Sequence, residues 1–208
     1  MQPLRIESQY FGSIQYNKKI ALATDTVIDI HEPFKKMSYR NRTTIISAQG
    51  PLLLTVPLQA GRDQKTPMLD VKICYGENWP IKHMKALTSC YKRSPFFEYY
   101  ENGLSQILIS EHTYLIDLNM SILRWLEQVL KTNFNISKST AVIPFLDPQF
   151  IDVRDTSNDH KAGINTTDQA YPQVFSDKID FLPNCSILDL LFCMGPSANI
   201  YLKDRTLR

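Results

Sequence analysis

Lys35, Lys36, Arg40 and Arg42 bring four cations into eight residues, with Tyr39 and Asn41 interleaved among them. A guanidinium is a planar fork that can grip a phosphate or carboxylate at two points, and two such forks separated by one residue can share a face of an extended chain. From Lys18 to Arg42 six bases meet three acids, a local excess of +3. The run reads either as an anion site or as the solvated entry to a hairpin. His83 stands beside Lys82 and two residues before Lys85, at the border of a helix's apolar face. It reads either as a boundary histidine bonded to backbone or as a general base or substrate contact in a basic neighbourhood.

Other chemistries lack their motifs. His31, His83, His112 and His160 contain no i, i+4 pair of the kind a zinc helix uses. Cys74, Cys90, Cys185 and Cys193 contain no CxxC, so a zinc ribbon, a dithiol redox motif and a disulfide framework are not expected, and all four thiols should be reduced. No GxSxG, P-loop or GxGxxG is present, which leaves hydrolase, NTPase and dinucleotide-binding readings without support. Cys185 and Cys193 read as small core residues. The aromatic group Tyr91, Phe96, Phe97, Tyr99 and Tyr100 reads as core, with hydroxyls at its edge able to line a sugar or nucleobase pocket.

These residues must be positioned by a chain of 208 residues, 43% hydrophobic and 21% charged, the composition of a single domain over 1–208. A net charge of +2 removes the signature of a general nucleic-acid binder. The N-terminus has no basic segment leading into an apolar run, and no stretch approaches the ~18 apolar residues of a membrane span, so a cytoplasmic location with no membrane span is expected. Leu4 to Ser8 predicts a strand, Gln15 to Ala23 a helix, and the β-branched Thr26 to Ile30 a second strand, together a βαβ unit. Thr43 to Leu58 predicts a hairpin turning at 48–51, with Pro57 marking its exit. The polar 61–66 predicts a loop and Val71 to Cys74 one more strand.

Pro80 suits a first helical position, and Ile81, Met84, Leu87 and Tyr91 follow at helical spacing. From Thr113 to Lys131 a broad stripe of Leu115, Leu118, Ile122, Trp125, Leu126 and Val129 predicts a core helix. Between Asp147 and Asp180 seven acids meet three bases with little periodicity, which predicts a flexible or lid-like segment open to proteolysis. Ser186-x-x-Asp189 has the spacing of a capping box before an apolar helix, and Gly195-Pro196 stops it.

The order GSIQY (12–16), SYRNR (38–42), GPLLLTVP (50–57), Trp79-x-x-x-His83, Tyr91-x-x-SPFFEYY, DLN (117–119), YPQVF (171–175) and FLPN-x-SILDLLF-x-MGP (181–196) closely resembles the WbqC-like protein family. The likeness runs from Tyr10 to about Leu202. Members are associated with bacterial surface-polysaccharide (O-antigen) gene clusters, and the resemblance implies a transferase acting on an amino sugar, adding a glycyl or other acyl group. The family pattern carries over to Gln15, Tyr16, Tyr39, Arg40, Asn41, Arg42, Trp79, His83, Tyr91, Asn184 and Asp189. The sequence departs from it at 12–16, where many members have Pro-Trp-x-Gly-Tyr, and at Cys193, where asparagine is common. The first strand, loop and helix also resemble the His-x-Gly-His loop of nucleotidyltransferases with both histidines missing, so adenylylation is not expected.

The expectation is therefore an α/β fold, a small partly parallel sheet with a β-hairpin, packed by the helices of 80–131 and closed by the helix from Ser186, as a degenerate nucleotidyltransferase-like fold. Arg40 and Arg42 would grip an anionic small molecule or sugar nucleotide from one cavity, with Asn41 facing away. His83 on the same wall would deprotonate the attacking amine, and Gln15, Tyr16, Tyr39, Trp79, Tyr91, Asn184 and Asp189 would contact substrate. The other class is a non-catalytic binding or scaffold protein of the same pathway, which predicts that these residues are scattered. No cofactor is named by the sequence.

Overall fold

A computed structural model describes residues 2–59, 65–144, 147–155 and 169–204. The βαβ unit forms as expected. Strand β1 (Leu4–Ile6) is buried throughout, and Ser13 then starts helix α1 (Ile14–Leu22) by accepting the Tyr16 N–H on its hydroxyl. Strand β2 (Thr26–Ile28) returns parallel to β1 in the register Leu4 with Thr26.

Farther along, β5 (Ile136–Lys138) adds parallel to the free edge of β2, and β6 (Ile151–Asp152) adds parallel to the other edge of β1. The sheet order is β5-β2-β1-β6.

The hairpin pairs β3 (Arg42–Ser47) with β4 (Gly50–Thr55), from Arg42 opposite Thr55 to Ser47 opposite Gly50. Its turn is tighter than the sequence suggested: Gly50 and Pro51 already belong to β4, and Gly50 takes the φ of 108° that closes the turn. The strand predicted at 71–74 is absent. A 3-10 turn (Met68–Asp70) precedes it, and the backbone groups there find scattered partners, Ile73 N–H on Thr113 and Cys74 N–H on Pro57, rather than a neighbouring strand.

Helices α2 (Trp79–Tyr91), α3 (Phe97–Ile109) and α4 (Leu115–Leu130) form the middle of the chain. The predicted stripe of α4 is buried except for Val129, which is partly so, and Lys131 ends the helix in the left-handed region. On α2, Ile81 departs from its expected place in the core and is 52% exposed. Helix α5 (Ile187–Met194) starts at Ser186, whose hydroxyl accepts the Leu188 N–H. The return half of the capping box does not form, because Asp189 is engaged elsewhere. Gly195 ends α5 at φ 54°, and a Cβ there would come 2.5 Å from the Phe96 ring. Helix α6 (Ser197–Lys203) follows and packs on α1 and α5.

The polar 147–180 region divides. Its first part contains β6, and its last part is anchored by the buried Tyr171 and Gln173; residues 156–168 and His160 lie outside the described residues, as do 61–64 of the other predicted loop. No helix of the described residues is long and apolar enough to cross a membrane.

All four cysteines are free, Cys74 half-buried and the others buried. Burial raises the Cys90 and Cys193 thiols above their ordinary range, which removes thiolate. A native titration with a chromogenic disulfide should therefore modify Cys74 first and find all four thiols only after unfolding without reductant. Fewer than four would mean a bridge.

Candidate functional site

In the sheet order, β2 lies on one side of β1 and β6 on the other, so the chain direction of winding switches beside β1. Ligands of open parallel sheets sit outside the carboxyl ends of the strands at such a switch. Residues leaving those ends here are Glu7 and Gln9 after β1, Asp29 and Glu32 after β2, and Arg154 and Asp155 after β6.

They build a charged cluster. Arg40 lays its fork on Glu32, Nε to Oε1 and Nη2 to Oε2 both at 2.7 Å, and turns Nη1 to Asp155 at 3.1 Å. Arg5 binds Asp29 through Nε and Nη2, at 3.0 and 2.5 Å, and spends its other donors on Asp152 and the carbonyls of Ile143 and Pro144. Arg154 reaches Asp29 and Asp152, and Lys35 reaches Asp155. Glu7 accepts from the Gln9 amide at 2.8 Å and from the Asp155 N–H at 3.2 Å. Five carboxylates thus face four cations.

Glu7, Glu32 and Arg40 are all under 10% exposed. Burial pushes the Glu32 carboxyl up; the Arg40 bonds oppose this and the charge of Glu7 adds to it. For Arg40 burial works against the charge, but the bonds to Glu32 outweigh it and its proton is held more tightly than usual. Tyr16 joins from α1, its hydroxyl donating to the Glu7 carbonyl and held neutral by burial and by Glu7. Asn119 on α4 fixes the Arg40 carbonyl at 2.9 Å.

The shared cavity expected for Arg40 and Arg42 is not what the chain builds. Residues 38–41 are turns, with Arg42 N–H on the Tyr39 carbonyl, and β3 begins only at Arg42. The alternation of an extended strand therefore does not govern them. Arg40 turns into the cluster, whereas Arg42 and Asn41 together line a separate cavity of about 200 Å³ at the hairpin base. Asn41 does not face away from Arg42; its amide donates to the Val56 carbonyl.

His83 is 5% exposed in an aromatic nest, bonded to the backbone of Thr55, the hairpin residue opposite Arg42. Its Nδ1 meets the Tyr10 hydroxyl at 2.8 Å, and the Trp79 ring stands edge-on with centroids 5.1 Å apart. Burial lowers its pKa to about 4, against the opposing bond to the Thr55 backbone, so the ring is neutral.

The remaining residues fall elsewhere. The Asn184 side chain accepts the Gln15 N–H at the start of α1. Tyr39 is buried, its phenol raised by burial, and its carbonyl accepts the Tyr10 N–H. The Tyr91 hydroxyl accepts the Ile46 N–H and faces Asp189, which is fully buried and takes bonds from the Tyr171 hydroxyl at 2.5 Å and the Gln173 amide at 3.0 Å. Burial raises the Asp189 carboxyl, opposed by those bonds. Of the expected site residues, then, the structure brings together Gln15 with Asn184, Tyr16 with Arg40, Asn41 with Arg42, Trp79 with His83, and Tyr91 with Asp189.

Glu7, Glu32, Asp29, Arg154 and Asp155 were not singled out from the sequence. The signal was there for Glu7 and Asp29, acids that directly follow the two strands of the βαβ unit. Among the described residues no group of three or more histidines, cysteines or acids is arranged to hold a metal ion.

A model of the WbqC-like protein family matches residues 7–151. The match spans Glu7, Glu32, the 38–42 turn and His83. No curated protein and no solved structure matches the chain.

Proposed function

The chain belongs to the WbqC-like protein family, and from that membership we propose that it is a transferase of bacterial surface-polysaccharide (O-antigen) biosynthesis, placing an acyl or aminoacyl (glycyl) group on an amino sugar. The observation that carries the reading is the buried cluster of Glu7, Glu32 and Arg40 at the carboxyl end of the parallel sheet. Buried ion pairs contribute little net stability compared with apolar packing, so folding alone gives no reason for five carboxylates at this edge.

In such a transfer the amine nitrogen attacks the acyl carbonyl and an N–C bond forms. The bond to the donor's leaving group breaks, its electron pair departing with that group, and the amine's proton passes to a base. Glu32 suits the last role, since burial raises its carboxyl above its ordinary value and so makes it the stronger base. Arg40, with its fork engaged, positions that carboxylate. His83, neutral and bonded to Tyr10, supports the wall behind β4 rather than accepting the proton.

The parting of Arg40 from Arg42 favours a second reading, a non-catalytic binding or scaffold protein of the same pathway. Nucleotide-linked amino sugars incubated with acetyl and glycyl thioesters separate the two. The transferase reading expects an amide product by mass, falling about 10²–10⁴-fold in Glu32→Gln. The scaffold reading expects thermal protection by a sugar nucleotide, about 2.7 kcal/mol at 100 times its Kd, with no product from any donor.

A further inference from the structure

The segment from Glu32 to Arg42 presents two faces. Glu32, Lys35 and Arg40 turn to the charged cluster, where each of the three is ion-paired. Lys36, Asn41 and Arg42 turn to the cavity at the hairpin base, walled on its other sides by Phe34, Val56 and Leu58. Two cations and no acid line it. Neither Lys36 nor Arg42 has a carboxylate within ion-pair distance among the described residues, in a chain where Arg5, Arg40 and Arg154 each have at least two.

The Arg42 guanidinium is under-used in a particular way. Its Nε is shut off from water with no acceptor among the described residues. Its Nη1 rests on the Met37 sulfur at 3.0 Å, a weak acceptor. Met37 itself is 68% exposed in the left-handed region, at φ 58°, an uncommon backbone for an unbranched apolar residue on the surface. An oxyanion arriving at the Arg42 Nη1 would displace only a thioether. The apolar wall would then cover whatever carbon the oxyanion carries.

Size narrows the class. About 200 Å³ lies under the ~300–1,000 Å³ of sites that enclose drug-sized ligands. A carboxylate or phosphate on two or three carbons fits within it.

We propose that the cavity formed by Lys36, Asn41 and Arg42 at the base of the hairpin is a binding site for a small oxyanion carried on a short apolar group, separate from the charged cluster at the sheet edge. It concerns binding alone and stands whether or not the chain is a transferase. Lys36 supplies the long-range attraction, Arg42 the fork, and Phe34, Val56 and Leu58 the cover for the carbon tail.

The probes are butyrate and propyl phosphate, with butyramide as the uncharged match of butyrate, titrated against the full chain at constant chloride and followed by heat capacity of binding or by amide shifts. Saturable binding of butyrate or propyl phosphate, absent for butyramide and weakened about tenfold or more in Arg42→Gln, is the expected result. Whichever anion binds more tightly identifies the head group. Lys36→Gln, at a half-exposed position, gives the second reading and should weaken the same anions several-fold while leaving the unfolding temperature where it was. Equal binding of butyramide, unchanged affinity in both variants, or no saturation by either anion would each overturn the proposal. Should Arg42→Gln fail to fold, Lys36→Gln decides.

Discussion

Arg40→Met lowers the unfolding free energy by about 3–5 kcal/mol, on the order of 10 °C in midpoint for a chain of this size. The loss is large because of what remains rather than what is removed. Glu32 stays buried beside Glu7, and the nearest remaining cation is Arg154, whose Nη1 lies 3.7 Å from Oε2. A charge in that position either stays ionised without its fork or takes up a proton. Protonation limits the penalty, so the loss should shrink as the pH falls through the raised range of the Glu32 carboxyl. Arg40→Met combined with Glu32→Leu should recover most of the lost stability, since an apolar pair of similar volume removes the orphaned charge. Urea unfolding of the two single variants and the double at neutral and mildly acidic pH checks this. Additive losses would show that Arg40 and Glu32 do not act as a pair.

The same comparison bears on why the cluster exists. An apolar replacement that folds as well as the original means that the charges are kept for something other than stability. Under the proposed transfer, their place at the winding switch of a parallel sheet would connect that surplus to a bound substrate. Stability and turnover should then separate in the double variant.

Much of the scaffold was legible because local signals and tertiary packing agree. Thr26 to Ile28 is β-branched and becomes the strand beside β1, and the α4 stripe is the most regular in the chain and becomes the core. What escaped was structure made by its neighbours. Strands β5 and β6 have three and two residues, with no alternation to read, and exist because β2 and β1 offer free edges. At 71–74 the residues look like a strand, but no partner strand lies alongside.

The site was half legible for similar reasons. Arg40 drew notice by its charge, but its meaning depends on Glu32, eight residues earlier across a turn that composition does not reveal. The face shared by Arg40 and Arg42 assumed an extended backbone that begins two residues too late, at Arg42. His83 was drawn toward solvent by Lys82 and Lys85, yet Trp79, His83, Leu87 and Tyr91 recur at the four-residue spacing of one buried helix face.

That burial makes His83 the source of a second large effect, in the acid limb of stability. Its pKa is about 4 in the folded chain and ~6.5 when unfolded. Between those values the unfolded chain binds a proton that the native chain does not, so stability is full above pH ~6.5 and falls as the pH drops toward 4. The difference of about 2.5 units corresponds to about 3 kcal/mol. Glu32 and Asp189 act in the opposite sense, because raised carboxyls take up protons more readily in the folded state. Their contribution is common to the native protein and a His83→Gln variant and cancels between them. The variant keeps a polar group against the Tyr10 hydroxyl and cannot titrate. It should be the less stable protein at pH 7.5, where it loses the packing of the ring against Trp79, and close much of that gap by pH 4.5. Parallel stability curves for the two proteins across that range would mean that His83 takes up its proton equally in the folded and unfolded chains, and would return it to candidacy as the base.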